Sequence, residues 1–299
     1  MGGIAFVFSD QGDQYPGMGK ALYEQYDAAA KVFQMCDTLR PGTMRQCFEG
    51  TAEELKQTAN TQPCLFAMEL AAAAVLREKG VKPDAVAGFS LGEVVAATAA
   101  GVFDPETGFQ MVCKRGELMQ AEAEKHDTAM AAVVKLTPET VTGLCGNYTD
   151  IYPVNLNCPG QITVSGLASQ MGAFSADVKA AGGRAIPLKV TGAFHSPFMR
   201  PAAEAFAQAL AAVKIRQGEI PLYSNVTAEV YSTDPAALLA KQIASPVQWE
   251  TLIRNMIGAG IDTFIEIGPG KTLTNMIKKI DTQATALTVA DYLTEAAAC

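Results

Sequence analysis

The sequence predicts an α/β fold: a parallel sheet covered by helices on both faces, with a small ferredoxin-like domain inserted into it. Four short apolar runs, Ile4–Phe8, Ala85–Phe89, Pro221–Val226 and Thr263–Ile267, read as buried strands. Glycine and then a helical pattern follow them, and long Ala-rich segments such as Gln62–Lys79 lie between. Strands alternating with helices are the pattern of a parallel sheet. The second observation is a change of pattern between Thr128 and Val190. There Ala129–Val134 reads as a strand, Pro138–Cys145 as a helix, and Val154–Leu156 with Gln161–Ser165 as a strand pair about Cys158-Pro159-Gly160. Ser169–Ala181 then reads as a helix and Arg184–Val190 as a closing strand. That β-α-β-β-α-β order is the split ferredoxin-like arrangement. The expected division is therefore 1–126 with 191–299 as the large domain and 127–190 as the small one.

Composition narrows the function classes. The chain has 299 residues, 49% hydrophobic and 18% charged, enough to bury a large core without cross-links. No stretch reaches the roughly 18–20 apolar residues of a membrane span, so no membrane role is expected. The opening Met1–Gln14 lacks a basic segment and reads as a first strand, not a signal peptide. A net charge of −8 without a basic run makes a poor nucleic-acid binder, because phosphate contacts supply most of that affinity. Seven cysteines, with no C-x-x-C pair and only two histidines, argue for free thiols in a reducing cytoplasm and against a metal site.

Gly88-Phe89-Ser90-Leu91-Gly92 fits G-x-S-x-G between a predicted strand and a predicted helix. Small residues on either side allow a sharp turn that exposes the Ser90 hydroxyl, and the Leu91 N–H then points at any oxyanion formed there. The alternative is a plain glycine-rich turn, which the strand-to-helix context disfavours. A serine nucleophile needs a base. His126 lies in a charged run, AEAEKHD, that reads as a solvated helix end. His195 lies in a Gly/Pro-containing loop, TGAFHSPFM, of the sort that carries catalytic groups, and is the preferred candidate. Gly270-Lys271-Thr272 invites a phosphate-loop reading, but the pattern needs glycine where Ile265 stands, so Gly268-Pro269-Gly270 is read as a turn.

Taken together, Gln11, the Gly-Phe-Ser-Leu-Gly-Glu elbow, Arg115 in KRGELMQ, Asn155–Gln161, GAFHS, Pro246-Val-Gln-Trp249 and Glu266–Gly270 resemble the malonyl-CoA:acyl carrier protein transacylases. The resemblance runs from Phe6 to Lys279 with the segments in the family's order. It implies a hydrolase-like α/β domain with a ferredoxin-like insert. It further implies Ser90 as nucleophile, His195 as base, Gln11 with the Leu91 amide as oxyanion hole, and Arg115 on the malonyl carboxylate. The Gln248 main-chain carbonyl would orient the histidine, and Asn157 would line the cleft. A guanidinium suits a carboxylate because its fork can meet both oxygens. Two features depart from the family pattern. Its GQGSQ reads Asp10-Gln-Gly-Asp13-Gln14 here, and Phe89 stands where histidine usually precedes the serine. Two carboxylates facing inward would raise the negative potential at the oxyanion hole.

The expected activity is transfer of a malonyl group from malonyl-CoA to the phosphopantetheine thiol of an acyl carrier protein, through a Ser90 acyl-enzyme and with no cofactor. Two rivals remain at this stage. A thioester hydrolase would discharge Ser90 to water, and a non-catalytic protein would only dock the carrier. The first is disfavoured because about a hundred residues follow His195, the second because Gln11, Ser90, Arg115 and His195 are all retained.

Overall fold

A computed structural model describes residues 2–188, 190, 192–232 and 234–298, with side chains described to 294. Its first sheet is parallel and contains β1 (Gly3–Phe8), β2 (Ala85–Gly88), β7 (Ile261–Ile267) and β8 (Thr285–Thr288), in the order β2-β1-β7-β8. The central strand β1 explains why this sheet is covered on both sides. Its side chains alternate, so Phe6 and Phe8 enter one apolar core while Ala5 and Val7 enter another.

The core beneath Phe6 and Phe8 is built by α1 (Lys20–Gln25), α2 (Asp27–Leu39), α3 (Thr43–Glu49), α4 (Ala52–Lys56), α5 (Thr58–Glu78), α6 (Leu91–Ala99) and α7 (Pro105–Ala123). Helix α5 is buried almost around its circumference, which its Ala-rich sequence permits without a polar face. Further along the chain, α10 (Arg200–Ala211) follows a 3₁₀ turn at Pro197–Met199, and α11 is Pro235–Gln242. The other face is covered by α12 (Trp249–Gly258) and α13 (Thr272–Ile280), and α14 (Val289–Ala298) ends the described chain.

The second sheet comprises β3 (Thr128–Val134), β4 (Ile151–Cys158), β5 (Gln161–Leu167) and β6 (Arg184–Pro187), antiparallel in the order β4-β5-β3-β6. Helices α8 (Pro138–Cys145) and α9 (Ala168–Ala180) pack on it around a separate core that includes Val133, Val141, Val164 and Phe174. The two bodies are stitched together where β4 meets the segment before α12. There Val247 N–H donates to Val154 O at 2.8 Å, and Leu156 N–H donates to Val247 O at 2.9 Å.

Two sequence expectations change. Pro221–Val226 is not a strand: Leu222 makes a single parallel bridge to Val86, and the chain turns away at Asn225. The fourth strand of the parallel sheet is instead β8, too short and too polar for its alternation to stand out. The predicted strand end at Val190 and the 190/191 boundary involve Lys189 and Thr191, which lie outside the described residues, as does Cys299.

Three strand ends converge on one edge of the parallel sheet: Phe8 leads into Ser9–Gln11, Gly88 into Ser90, and Ile267 into the Gly268–Gly270 turn. In open parallel sheets this carboxyl edge is where ligands bind. The approach there is close enough to demand glycine. A Cβ on Gly88 would lie 1.9 Å from the carbonyl carbon of Gly92, and one on Gly92 would lie 2.3 Å from Phe8 O. Both contacts are with backbone, so neither can be relieved by rotating a side chain. Gly88→Ala is therefore expected to destabilise the protein by about 1–3 kcal/mol or more, the range for overpacking a tight core. A lowered urea midpoint at unchanged slope would show this, and a midpoint equal to the parent's would mean that the elbow can move aside.

Candidate active site

Ser90 sits at the junction of β2 and α6 with φ 52° and ψ −106°, a strained conformation for a non-glycine residue. Asn225 holds it there: Ser90 N–H donates to Asn225 Oδ1 at 2.8 Å, while Asn225 Nδ2 donates to Gly88 O at 2.7 Å. Its hydroxyl points away from the sheet and lies 2.7 Å from His195 Nε2.

His195 also takes a left-handed backbone, φ 61°, in the loop before the 3₁₀ turn. Its Nδ1 lies 2.9 Å from Gln242 O. A carbonyl can only accept, so Nδ1 carries the hydrogen and the Nε2 lone pair faces the Ser90 hydroxyl. Burial, and next the Arg115 charge, lower the His195 pKa to about 4. The ring is therefore neutral, and able to take a proton, across the physiological range.

Arg115 projects from α7 into the same space and is wholly buried. Its Nη2 donates to Gln242 Oε1 at 2.7 Å and to Ser90 Oγ at 3.2 Å. Burial lowers its pKa to about 10, so it remains a cation. Nε and Nη1 have no hydrogen-bond partner among the described residues. A buried guanidinium with idle donors is costly unless something meets it.

Gln242, which the sequence reading did not single out, joins these groups. Its side-chain Oε1 accepts from Arg115, and its Nε2 donates to Ser90 O at 2.6 Å and to Glu93 Oε2 at 2.8 Å. Its main-chain carbonyl meets His195. The histidine partner is thus Gln242, not Gln248. The Gln248 carbonyl is the first acceptor of α12, taking the Leu252 N–H at 2.9 Å, and is committed to that helix. Glu93 completes the network, accepting from Tyr231 Oη at 2.6 Å and Asn225 N–H at 3.1 Å. Burial raises its pKa to about 7 against those hydrogen bonds. The one sequence signal for Gln242 was its place after Lys241 at the polar end of the apolar run Pro235–Ala240.

Ser90, His195, Gln11 and Asp10 line a cavity of about 60 Å³, and Asn155 and Leu188 complete part of its wall. Next to it, a cavity of about 240 Å³ is lined by Gln11, Phe89, Asn155, Asn157, Gln161 and Met276 among others. The larger clefts of about 600 and 550 Å³ lie apart from Ser90 and contain no comparable nucleophile and base. Gln11 Oε1, Asn155 Oδ1 and Asn157 Oδ1 are buried without partners among the described residues, so unmet polar groups cluster on the smaller pair of cavities. Phe89 faces the second core, its ring 5.3 Å from that of Trp249. His126 is exposed, near Glu122, and takes no part. Asp13 turns toward α13, accepting from Thr272 Oγ1 at 2.9 Å. Asp10 is the carboxylate of the pair that faces the serine.

A serine on a strained elbow, beside a neutral imidazole and a helix N-terminus, can form and break an ester at its hydroxyl. The acyl transferase domain family matches residues 5–295. The chain is 41% identical to the malonyl CoA-acyl carrier protein transacylase of Bacillus subtilis, over 97% of this chain and 94% of that one. It superposes on the Clostridium perfringens malonyl CoA-acyl carrier protein transacylase with a TM-score of 0.95 at 34% identity, covering 99% and 96% of the two chains. A malonyl-transacylase solved in complex with its type II polyketide-synthase acyl-carrier protein gives 0.93 at 31% identity, covering 97% and 96%. The chain belongs to the acyl transferase domain family, as its sequence segments indicated. Its hydrolase-like sheet with a second, antiparallel subdomain is the fold of the malonyl transacylases.

If His195 is the base, acylation of Ser90 requires it neutral, so the acid limb of the rate should lie near pH 4. His195→Ala should slow acylation by roughly 10²–10⁴-fold, and His126→Ala should leave it nearly unchanged. Rapid-quench rates across pH check both; an acid limb near 6.5 would place the imidazole in a solvated site.

Proposed function

We propose that this protein transfers malonyl from malonyl-CoA to the phosphopantetheine thiol of an acyl carrier protein, with Ser90 as the carrier residue. The observation that supports this best is Arg115, a buried cation beside the nucleophile with donors to spare. An acyl group with its own carboxylate satisfies those donors, whereas an acetyl group leaves them unpaired.

In the first half-reaction, His195 Nε2 takes the Ser90 proton as Oγ attacks the thioester carbonyl. The negative charge that develops on the carbonyl oxygen is received by the Leu91 N–H at the start of α6 and by Gln11. The C–S bond then breaks, and the proton held by His195 passes to the departing coenzyme A sulfur. The second half-reaction reverses these steps with the carrier thiol as nucleophile, so one base and one oxyanion site serve both. Gln242 keeps the imidazole in the tautomer that can accept, and Asn157 lines the adjoining cavity where the pantetheine arm would lie. The chemistry moves protons and an acyl group only, so it calls for no cofactor. Free thiols and the absence, among the described residues, of a helix able to cross a membrane fit an enzyme of the cytoplasm.

Intact mass measured after separate incubation with malonyl-CoA, acetyl-CoA and methylmalonyl-CoA tests the reading. A malonyl adduct that persists in buffer and disappears on adding carrier protein is expected. Loss of the adduct to water at the same rate with and without carrier would favour a hydrolase.

Arg115→Ala should cost malonyl-CoA about 2–5 kcal/mol in kcat/KM, roughly 30- to several-thousand-fold, and cost acetyl-CoA little. Lysine at this position should rescue only partly, since it restores charge without the planar fork. Parallel losses for both thioesters would assign Arg115 a structural role.

Carrier docking supplies another expectation. Helix α13 lines the larger of the two cavities through Thr272, Leu273 and Met276, and its last turn exposes Lys278 and Lys279. Reversing both charges should raise the KM for an acidic carrier and spare acylation by malonyl-CoA. An unchanged carrier KM would leave the pair as a solvated helix end.

A further inference from the structure

The loop after β1 places a carboxyl group in the space where the reaction develops negative charge. Asp10 lines the small cavity together with Ser90, His195 and Gln11, and also lines the adjoining one. It therefore shares a cavity wall with the elbow at which Leu91 begins α6. The Leu91 amide is the donor that the elbow geometry offers to the thioester oxygen. As a carboxylate, Asp10 would set a negative charge on the cavity in which the thioester oxygen develops its own. It would also set a second negative charge near Arg115, which must receive the malonyl carboxylate.

The surroundings favour the neutral acid. Burial raises the Asp10 pKa to about 7, opposed by the Gln11 N–H, the Arg115 charge and the Leu91 N–H, with Asp13 adding a small upward push. Behind the loop, α5 contributes Glu69, whose Oε1 takes a short hydrogen bond from Ser9 Oγ and whose own pKa is raised well above normal by burial. Glu266 of β7 lies beyond it, and its pKa too is raised by burial. Across the elbow stand Glu93 on α6, with a pKa raised to about 7, and His195, neutral above about 4. Arg115 is thus the one cation facing Asp10 among these groups.

We propose that Asp10 gates the oxyanion site: acylation of Ser90 proceeds when the Asp10 carboxyl is protonated and is suppressed when it is ionised. Protonation comes from solvent and changes no bond in the acyl transfer itself. It removes the negative charge beside the developing oxyanion and leaves the acid able to donate its own hydrogen bond to it. This rests on the reading of Ser90 as the acylated residue. It gives the activity a second pH limb of opposite sign to that of His195, since the rate falls as pH rises through the Asp10 pKa.

The test is the pH profile of Ser90 acylation by malonyl-CoA, followed by rapid quench and intact mass from pH 5 to 9. It uses the parent, Asp10→Asn, Asp10→Gly and Ser90→Ala. The parent is expected to lose about tenfold per pH unit above 7, or roughly 30-fold by pH 8.5. In Asp10→Asn, which keeps size and polarity without charge, the alkaline limb should vanish. Asp10→Gly should do the same, which guards against a misfolded asparagine variant. If the parent shows no alkaline limb, or if the limb survives in both variants, the inference is wrong; a surviving limb would point to Glu93. An adduct persisting in Ser90→Ala would instead overturn the acyl-enzyme reading itself, an outcome independent of the Asp10 profiles.

Discussion

Gln242 is the residue on which the arrangement of the site turns. It closes α11, where the last carbonyls of a helix have no intrahelical partner. Its carbonyl is therefore free to accept from His195, with the Ser245 N–H at 3.2 Å as its other partner. The negative end of the helix dipole would also favour the imidazolium that the proposed proton transfer forms. Its carboxamide meanwhile bridges a cation, Arg115, to an acid, Glu93, and steadies the carbonyl of Ser90. A charged side chain there would satisfy one neighbour and repel another, whereas an amide offers an acceptor to one and donors to the other.

This network explains how ionisable groups can be buried so close to the nucleophile. Arg115 and Glu93 both leave water, and each keeps at least one hydrogen bond to Gln242. Burying such groups costs several kcal/mol each before those bonds are counted. Glu93 recovers much of that through two further protein groups, but Arg115 does not, and its Nε and Nη1 stay without a partner among the described residues. On the proposed role of Arg115, destabilisation held at one side chain in this way would become binding specificity when a carboxylate arrives.

The two bodies of the protein contribute unequally. The parallel sheet brings the loop after β1, the serine elbow and the α13 turn together at its carboxyl edge. The antiparallel body adds a wall through Met130 and the amides Asn155 and Asn157. That wall is held in register by backbone hydrogen bonds to Val247 rather than by side chains alone. The narrow cavity over Ser90 is thus walled from both bodies, by the loops at the parallel sheet's edge and by Met130 and Asn155 of the antiparallel one.

Much of the fold was legible in the sequence because short apolar runs and the glycines that follow them are local signals. The G-x-S-x-G elbow could be read for the same reason, its glycines being dictated by contacts within five residues and with the neighbouring strand. The resemblance indicated Arg115 and His195 as its partners, and the structure brings both to the serine hydroxyl. By contrast, β8 was missed and Pro221–Val226 was overcalled, since four residues carry too little pattern to separate an edge strand from a bridge. Which carbonyl meets His195 could not be read either. Gln242 and Gln248 lie six residues apart between two helices, and only the packing of α11 and α12 decides which faces the ring. The same holds for Asp10 and Asp13, three residues apart in one loop. One reaches the serine cavity and the other turns to Thr272 on the wall of the adjoining one, because the close approach of Gly270 and α13 captures Asp13 alone. Sequence by itself determined the elements and the chemistry available to them. Tertiary structure decided which polar groups lost their water together, and that sets their charges and their partners.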